Sequence, residues 1–139
     1  MLTMPLKRAR RSTCSLEDLG TRVDQLAVLL TLLEQEIQEI FESGEVAPTG
    51  VWIVRYQARG RNASYWYYKL HSREPIFPTS TKGKMSRYKH LGKAGSSAYL
   101  DGVMQVVRRA KIDGLQRAIE TLKAGIADLS EEGRKNQPK

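Results

Sequence analysis

From Leu16 to Ile40 the apolar residues Leu16, Leu19, Val23, Leu26, Leu30, Leu33, Ile37 and Ile40 recur at spacings of 3, 4, 3, 4, 3, 4 and 3. A strand cannot gather residues at that interval onto one face, because its faces alternate every second residue. The spacing predicts a helix over residues 15–42 carrying an a/d seam, roughly 40 Å long at about 1.5 Å per residue. Ser15 is the expected N-cap, with Asp18 three residues on as a variant of the capping box. Glu17 and Asp18 suit the positive helix N-terminus. Ser43-Gly44 ends the run and Pro48 lies beyond it.

The seam needs a partner, and the far end of the chain offers one. Ile112, Leu115, Ile119, Leu122, Ile126 and Leu129 repeat the pattern at spacings of 3, 4, 3, 4 and 3. A second helix is expected over residues 96–130. Its first half follows another phase, through Leu100, Val103, Val107 and Ala110, so a stutter-like break is expected near Ala110–Ile112. Gly102, Gly114 and Gly125 each weaken it by up to about 1 kcal/mol relative to Ala. Residues 131–139 are expected to fray.

Between the two seams the period changes to two. VWIVRYQ (51–57) reads as a strand, ARGRNA as a turn, SYWYYKLH (64–71) as a second strand and MSRYKHL (85–91) as a third. SREPIFPTSTKGK reads as a long loop, and GKAGSS leads into the second helix. Short turns favour an antiparallel meander. The expected fold is α+β: two long antiparallel helices forming a coiled-coil hairpin, with a three-stranded β-meander over residues 50–92 inserted between them. The chain of 139 residues has the length of one domain, with residues 1–14 as a basic flexible arm. Leu29, Phe41, Met104 and Val106 lie off the strict seams, which suggests a homodimer in a four-helix arrangement. The net −7 of residues 15–49 disfavours setting first helix against first helix.

Charge is unevenly spread. The chain carries +8 overall, but residues 50–93 hold ten basic residues against one acid, Glu74. Eight of the ten aromatic residues lie in the same segment. A single cysteine, Cys14, excludes an intrachain disulfide. No apolar run approaches the roughly 18 residues of a membrane span, and polar residues follow the basic start where a signal peptide would be apolar. A cytoplasmic location, the nucleoid included, is expected. His71 and His90 are the only histidines, and neither a metal cage nor paired carboxylates can be assembled in the basic segment. No cofactor, no metal and no enzymatic activity are expected.

Four aromatic residues in succession, Tyr65-Trp66-Tyr67-Tyr68, must be divided between two faces. Trp52, Val54 and Tyr56 of the first strand are expected to share a buried face with Trp66, Tyr68 and Leu70 of the second. Arg55, Gln57, Tyr65, Tyr67, Lys69 and His71 would then face outward. In the third strand Arg87 and Lys89 are set outward and Tyr88 inward, because unpaired buried charges are costly. Rings beside cations suit nucleic acid: Arg and Lys neutralise phosphates, and Tyr stacks on unpaired bases. The candidate contacts are Arg55, Arg59, Arg61, Tyr65, Tyr67, Lys69, Lys82, Lys84, Arg87, Lys89 and Lys93. Arg108, Arg109 and Lys111 could extend the basic surface, although a solvated helix face is the plainer reading. The backbone of GKAGSS could hold one phosphate at the helix N-terminus, although an ordinary helix entry is favoured.

YWYYKL (65–70) and RYKHLGK (87–93) resemble the recurring motifs of a group of small uncharacterised bacterial proteins, some of them associated with mobile elements. The pattern of that group is a helix, a Tyr-rich strand, a strand ending in Arg-Tyr-x-x-Leu-Gly-Lys, and a helix; it covers roughly residues 50–130. In place of the Gly-Pro such proteins often carry before the aromatic strand, this chain has Asn62-Ala63-Ser64. The meander is also similar, at the level of fold, to three-stranded DNA-binding modules attached to some integrases. The expected function is DNA or RNA binding by a homodimer; an assembly or adaptor protein whose sheet docks another protein is the alternative.

Overall fold

A computed structural model describes residues 16–135 of the chain. The fold is α+β, with two helices and a three-stranded antiparallel sheet between them in chain order. The arm at residues 1–14, the Ser15 cap and residues 136–139 lie outside the described residues. Helix α1 spans Leu16–Ser43 and α2 spans Ser97–Lys135. No helix among the described residues is long and apolar enough to cross a membrane.

The helices run antiparallel. Arg22 meets Glu132 at 3.2 Å at the far end, and the Leu26 side chain lies against Gly125. Just past α1, the Ala47 N–H donates to the Gln105 carbonyl at 3.1 Å. The α2 seam buries Ile112, Ile119 and Leu129. The α1 seam residues from Leu19 to Ile40 are only half-buried, and no described side chain of α1 is fully buried.

Helix α2 continues unbroken through Gly102, Gly114 and Gly125 and runs five residues beyond the expected end, into the segment expected to fray. Its change of phase has a packing cause. The first turns face the sheet through Tyr99, Gly102 and Val106, and the later turns face α1. Leu100, expected inside, is exposed. Gly102 lets α2 sit close to the sheet: a Cβ there would lie 2.7 Å from Cδ2 of buried Leu91, which would have to shift.

The sheet has strand order β1-β2-β5, with β1 Trp52–Arg59, β2 Ser64–His71 and β5 Tyr88–Gly92. The expected third strand is divided. Met85–Ser86 (β4) pairs instead with Phe77–Pro78 (β3) in a separate two-stranded ribbon. The long loop therefore carries structure, and it supplies Ile76 and Phe77 to the core. That core comprises Ala47, Val51, Leu70, Phe77 and Leu91, with Ile53, Tyr68, Ile76, Tyr99 and Val106 around it.

Two expectations about the helix ends resolve into structural roles. Arg108 donates to the Glu45 carbonyl at 3.0 Å and Arg109 to the Ala47 carbonyl at 2.7 Å, so both strap the linker after α1. In GKAGSS the Ser96 hydroxyl accepts from the Tyr99 N–H at 3.2 Å and donates to the Leu91 carbonyl at 2.9 Å. That is an N-cap, and it occupies a backbone donor that a phosphate would need.

Candidate nucleic-acid interface

The β1–β2 register fixes which residues share a face. Tyr56 stands opposite Tyr67, Val54 opposite Lys69, and Trp52 opposite His71. Directly opposed residues project to the same side. On the third strand Tyr88 pairs with His71 and His90 with Lys69. The side turned away from the core therefore carries rows of residues across the sheet: Trp52, His71 and Tyr88; then Val54, Lys69 and His90; then Tyr56 and Tyr67; then Ala58 and Tyr65. Gly92 ends β5, so the last two rows receive no side chain from it.

The rings are in contact. His71 lies 4.3 Å from Trp52 and 4.6 Å from Tyr88, centroid to centroid. Tyr56 lies 6.0 Å from Tyr67, stacked, and 5.9 Å from His90. A hydrogen bond of 2.7 Å joins the Tyr56 hydroxyl to His90 Nδ1. Two lysines are seated among the rings. The Lys69 ammonium is 3.9 Å from the Tyr88 ring and 4.6 Å from Tyr56; that of Lys93 is 4.4 Å from Tyr65 and 5.9 Å from Tyr67. Such contacts contribute about 0.5–1 kcal/mol each at exposed sites. His71 Nδ1 is sealed among these rings with no hydrogen-bond partner among the described residues.

This face remains open. Trp52 is 39 % and Tyr88 42 % exposed. It has no carboxylate, and none of the ten basic residues of 50–93 is in an ion pair among the described residues. No group of three or more His, Cys, Asp or Glu among the described residues could hold a metal ion.

The expected faces are corrected in three places. Trp52, Val54 and Tyr56 lie on the open side, because the hairpin register opposes them to His71, Lys69 and Tyr67. Tyr88 is also on the open side, and Lys89 takes the parity of Leu70. Arg55 is opposite Tyr68 on the core side, where its guanidinium lies 3.6 Å over the Trp66 ring. Trp66 is thus covered by a cation, at 44 % exposure, and does not belong to the core. Of the expected contacts, Tyr65, Tyr67, Lys69 and Lys93 come together on the open face. Arg59 and Arg61 are exposed at the β1–β2 turn, and Lys82 and Lys84 at the ribbon turn. Arg87 and Lys89 are exposed at the β5 edge, where charge discourages further strand pairing.

Trp52, Tyr56, Tyr88 and His90 join the candidate set from outside the expected one. The sequence does contain their signal. A turn centred between Arg61 and Asn62, closed by the Gly60 N–H to Ala63 carbonyl bond at 2.7 Å, makes Tyr56 and Tyr67 partners. Apolar alternation could not reveal it, because large rings occupy both sides of the sheet. Comparison with family models, curated proteins and solved structures finds no match.

Proposed function

We propose that the chain binds single-stranded nucleic acid, DNA or RNA, on the open face of its sheet, without catalysing a reaction. The observation that carries this reading is the open array of rings with two lysines seated between them and no carboxylate. Ring faces stack on bases, and in a duplex the base faces are already stacked on one another. Spacing points the same way. Successive rows along a strand lie about 6.7 Å apart, two residues of rise. That is twice the roughly 3.4 Å per nucleotide of a stacked DNA strand. Consecutive bases seated on neighbouring rows would therefore be unstacked. The unpaired basic residues at both turns and along β5 would follow the phosphates on either side.

The proposal includes a homodimer, in which the heptad seams pack as a coiled-coil hairpin and two hairpins associate so that one particle carries two sheets. Fluorescence anisotropy with labelled oligonucleotides at 50–100 mM salt tests the binding. Single strands are expected to bind in the micromolar range or tighter, and ahead of duplex of the same length. Equal affinity for the two, or no binding, overturns the single-strand reading. No binding to either would favour the alternative, a sheet that docks another protein through the same rings.

A further inference from the structure

Helix α1 carries a second heptad stripe beside the one it presents to α2. Asp18, Arg22, Gln25, Leu29, Leu32, Glu36, Glu39 and Ser43 follow one another at spacings of 4, 3, 4, 3, 4, 3 and 4. Its centre is apolar and uncovered: Leu29 is 43 % and Leu32 53 % exposed, with Val28 beside them at 61 %. Residues 25–33 contain no charged residue on any side of the helix, although α2 covers only one. Apart from Gln25 and Thr31 the segment is apolar, and a helix apolar on more than one side ordinarily buries more than one side. Leu29, Leu32, Leu33, Gln35, Glu36 and Glu39 line a shallow groove of about 370 Å³ on this side. Glu36, Glu39 and Ser43 also border a larger one, about 580 Å³, shared with Ala110, Gly114 and Leu115 of α2.

The stripe is complementary to itself when reversed. About a twofold axis placed between Leu29 and Leu32, Leu29 meets Leu32 of the second copy, Gln25 meets Glu36, Arg22 meets Glu39 and Asp18 meets Ser43. Apolar falls on apolar, Glu36 falls on the Gln25 amide and Glu39 on Arg22; Asp18 falls on Ser43, whose hydroxyl already donates to the Ile40 carbonyl at 2.7 Å. Parallel pairing would instead set Glu36 on Glu36 and Glu39 on Glu39. The net negative charge of α1 therefore does not decide the matter; the order of charges along this stripe does. We infer that a second copy of this chain docks here, α1 against α1 and antiparallel, in an isologous interface centred on Leu29 and Leu32. Arg22 already holds Glu132 at 3.2 Å and Asp18 at 3.6 Å, so the Gln25–Glu36 and Leu29–Leu32 pairs are the ones to test. This rests on the dimer proposed above and deepens it; it is independent of what the sheet binds.

The test uses the full chain carrying Cys14→Ser. Sedimentation at about 10 µM should give twice the 15.7 kDa monomer mass. Leu29→Glu and Leu32→Glu should each raise the dimer Kd roughly tenfold or more by placing a charge at the apolar centre. Circular dichroism should be unchanged, since both leucines are exposed in the single chain. Gln25→Glu should weaken the dimer, Gln25→Lys should tighten it, and Glu36→Lys should restore Gln25→Glu. Oxidising a mixture of Leu29→Cys and Leu32→Cys chains should cross-link the mixed pair ahead of either like pair. A monomer overturns both the dimer and this interface, and leaves the face to a different protein. A dimer indifferent to the leucine and Gln25 changes overturns the interface alone. Affinity for an oligonucleotide spanning one sheet should be the same in Leu29→Glu as in the parent, so failure here is separable from failure of nucleic-acid binding.

Discussion

Gly102 and Gly20 are both helical, and their alanine variants are expected to move stability in opposite directions. At Gly102 a methyl group must displace Leu91, which is itself buried. Overpacking of that kind costs about 1–3 kcal/mol, against up to about 1 kcal/mol gained in helix propensity. Gly102→Ala should lower Tm. A Cβ at Gly20 meets nothing within 4 Å, so Gly20→Ala should raise it. On the open face, Tyr56→Ala and Tyr67→Ala should each lower single-strand affinity by about 1–3 kcal/mol, the range for base stacking, with the fold retained. Trp66→Ala should leave affinity nearly unchanged, because Trp66 lies on the other side beneath Arg55. Leu70, 1 % exposed, is the true core control, and Leu70→Ala should cost about 2–5 kcal/mol in chemical denaturation. A loss of affinity on changing Trp66, with none on changing Tyr67, would place binding on the opposite side.

At the scale of elements, the strongest periodicities were the most legible. Helices α1 and α2 and the Tyr-rich strand appear within five residues of their expected limits. The split of the third strand was hidden because each ribbon strand has only two residues, too few to show alternation. The parity of β1 was hidden for another reason: Trp52, Val54 and Tyr56 form as plausible an inner row as Ile53 with its neighbours. Only the register set by the turn separates the two, and a one-residue slip inverts a whole strand. Arg109 shows how charge alone misdirects. It is bound to the Ala47 carbonyl at 2.7 Å and to Asp113 at 3.3 Å. Arg109→Ala should destabilise the chain by about 1–3 kcal/mol, by stranding a carbonyl of fully buried Ala47. It should not change the affinity for nucleic acid in anisotropy measurements.

For the whole molecule, the separation of charge along the chain becomes a separation in space. The sheet and its turns hold unpaired cations, while the ion pairs of the described residues lie on the helices. Binding should therefore weaken with salt, and Lys69→Ala or Lys93→Ala should each flatten the slope of log K against log salt by about 0.7, the single-strand value per phosphate contact. Arg55→Ala should leave the slope as it is, since Arg55 faces Trp66 from the core side. The two tryptophans stand on opposite faces of one sheet, Trp52 in the open array and Trp66 beneath Arg55. The molecule thus contains two optical channels that need no added dye. In a Trp66→Phe chain all indole emission comes from Trp52, and quenching on titration reports a guest on the open face. In a Trp52→Phe chain the emission comes from the side away from the proposed binding face, and a change there signals rearrangement of the sheet itself.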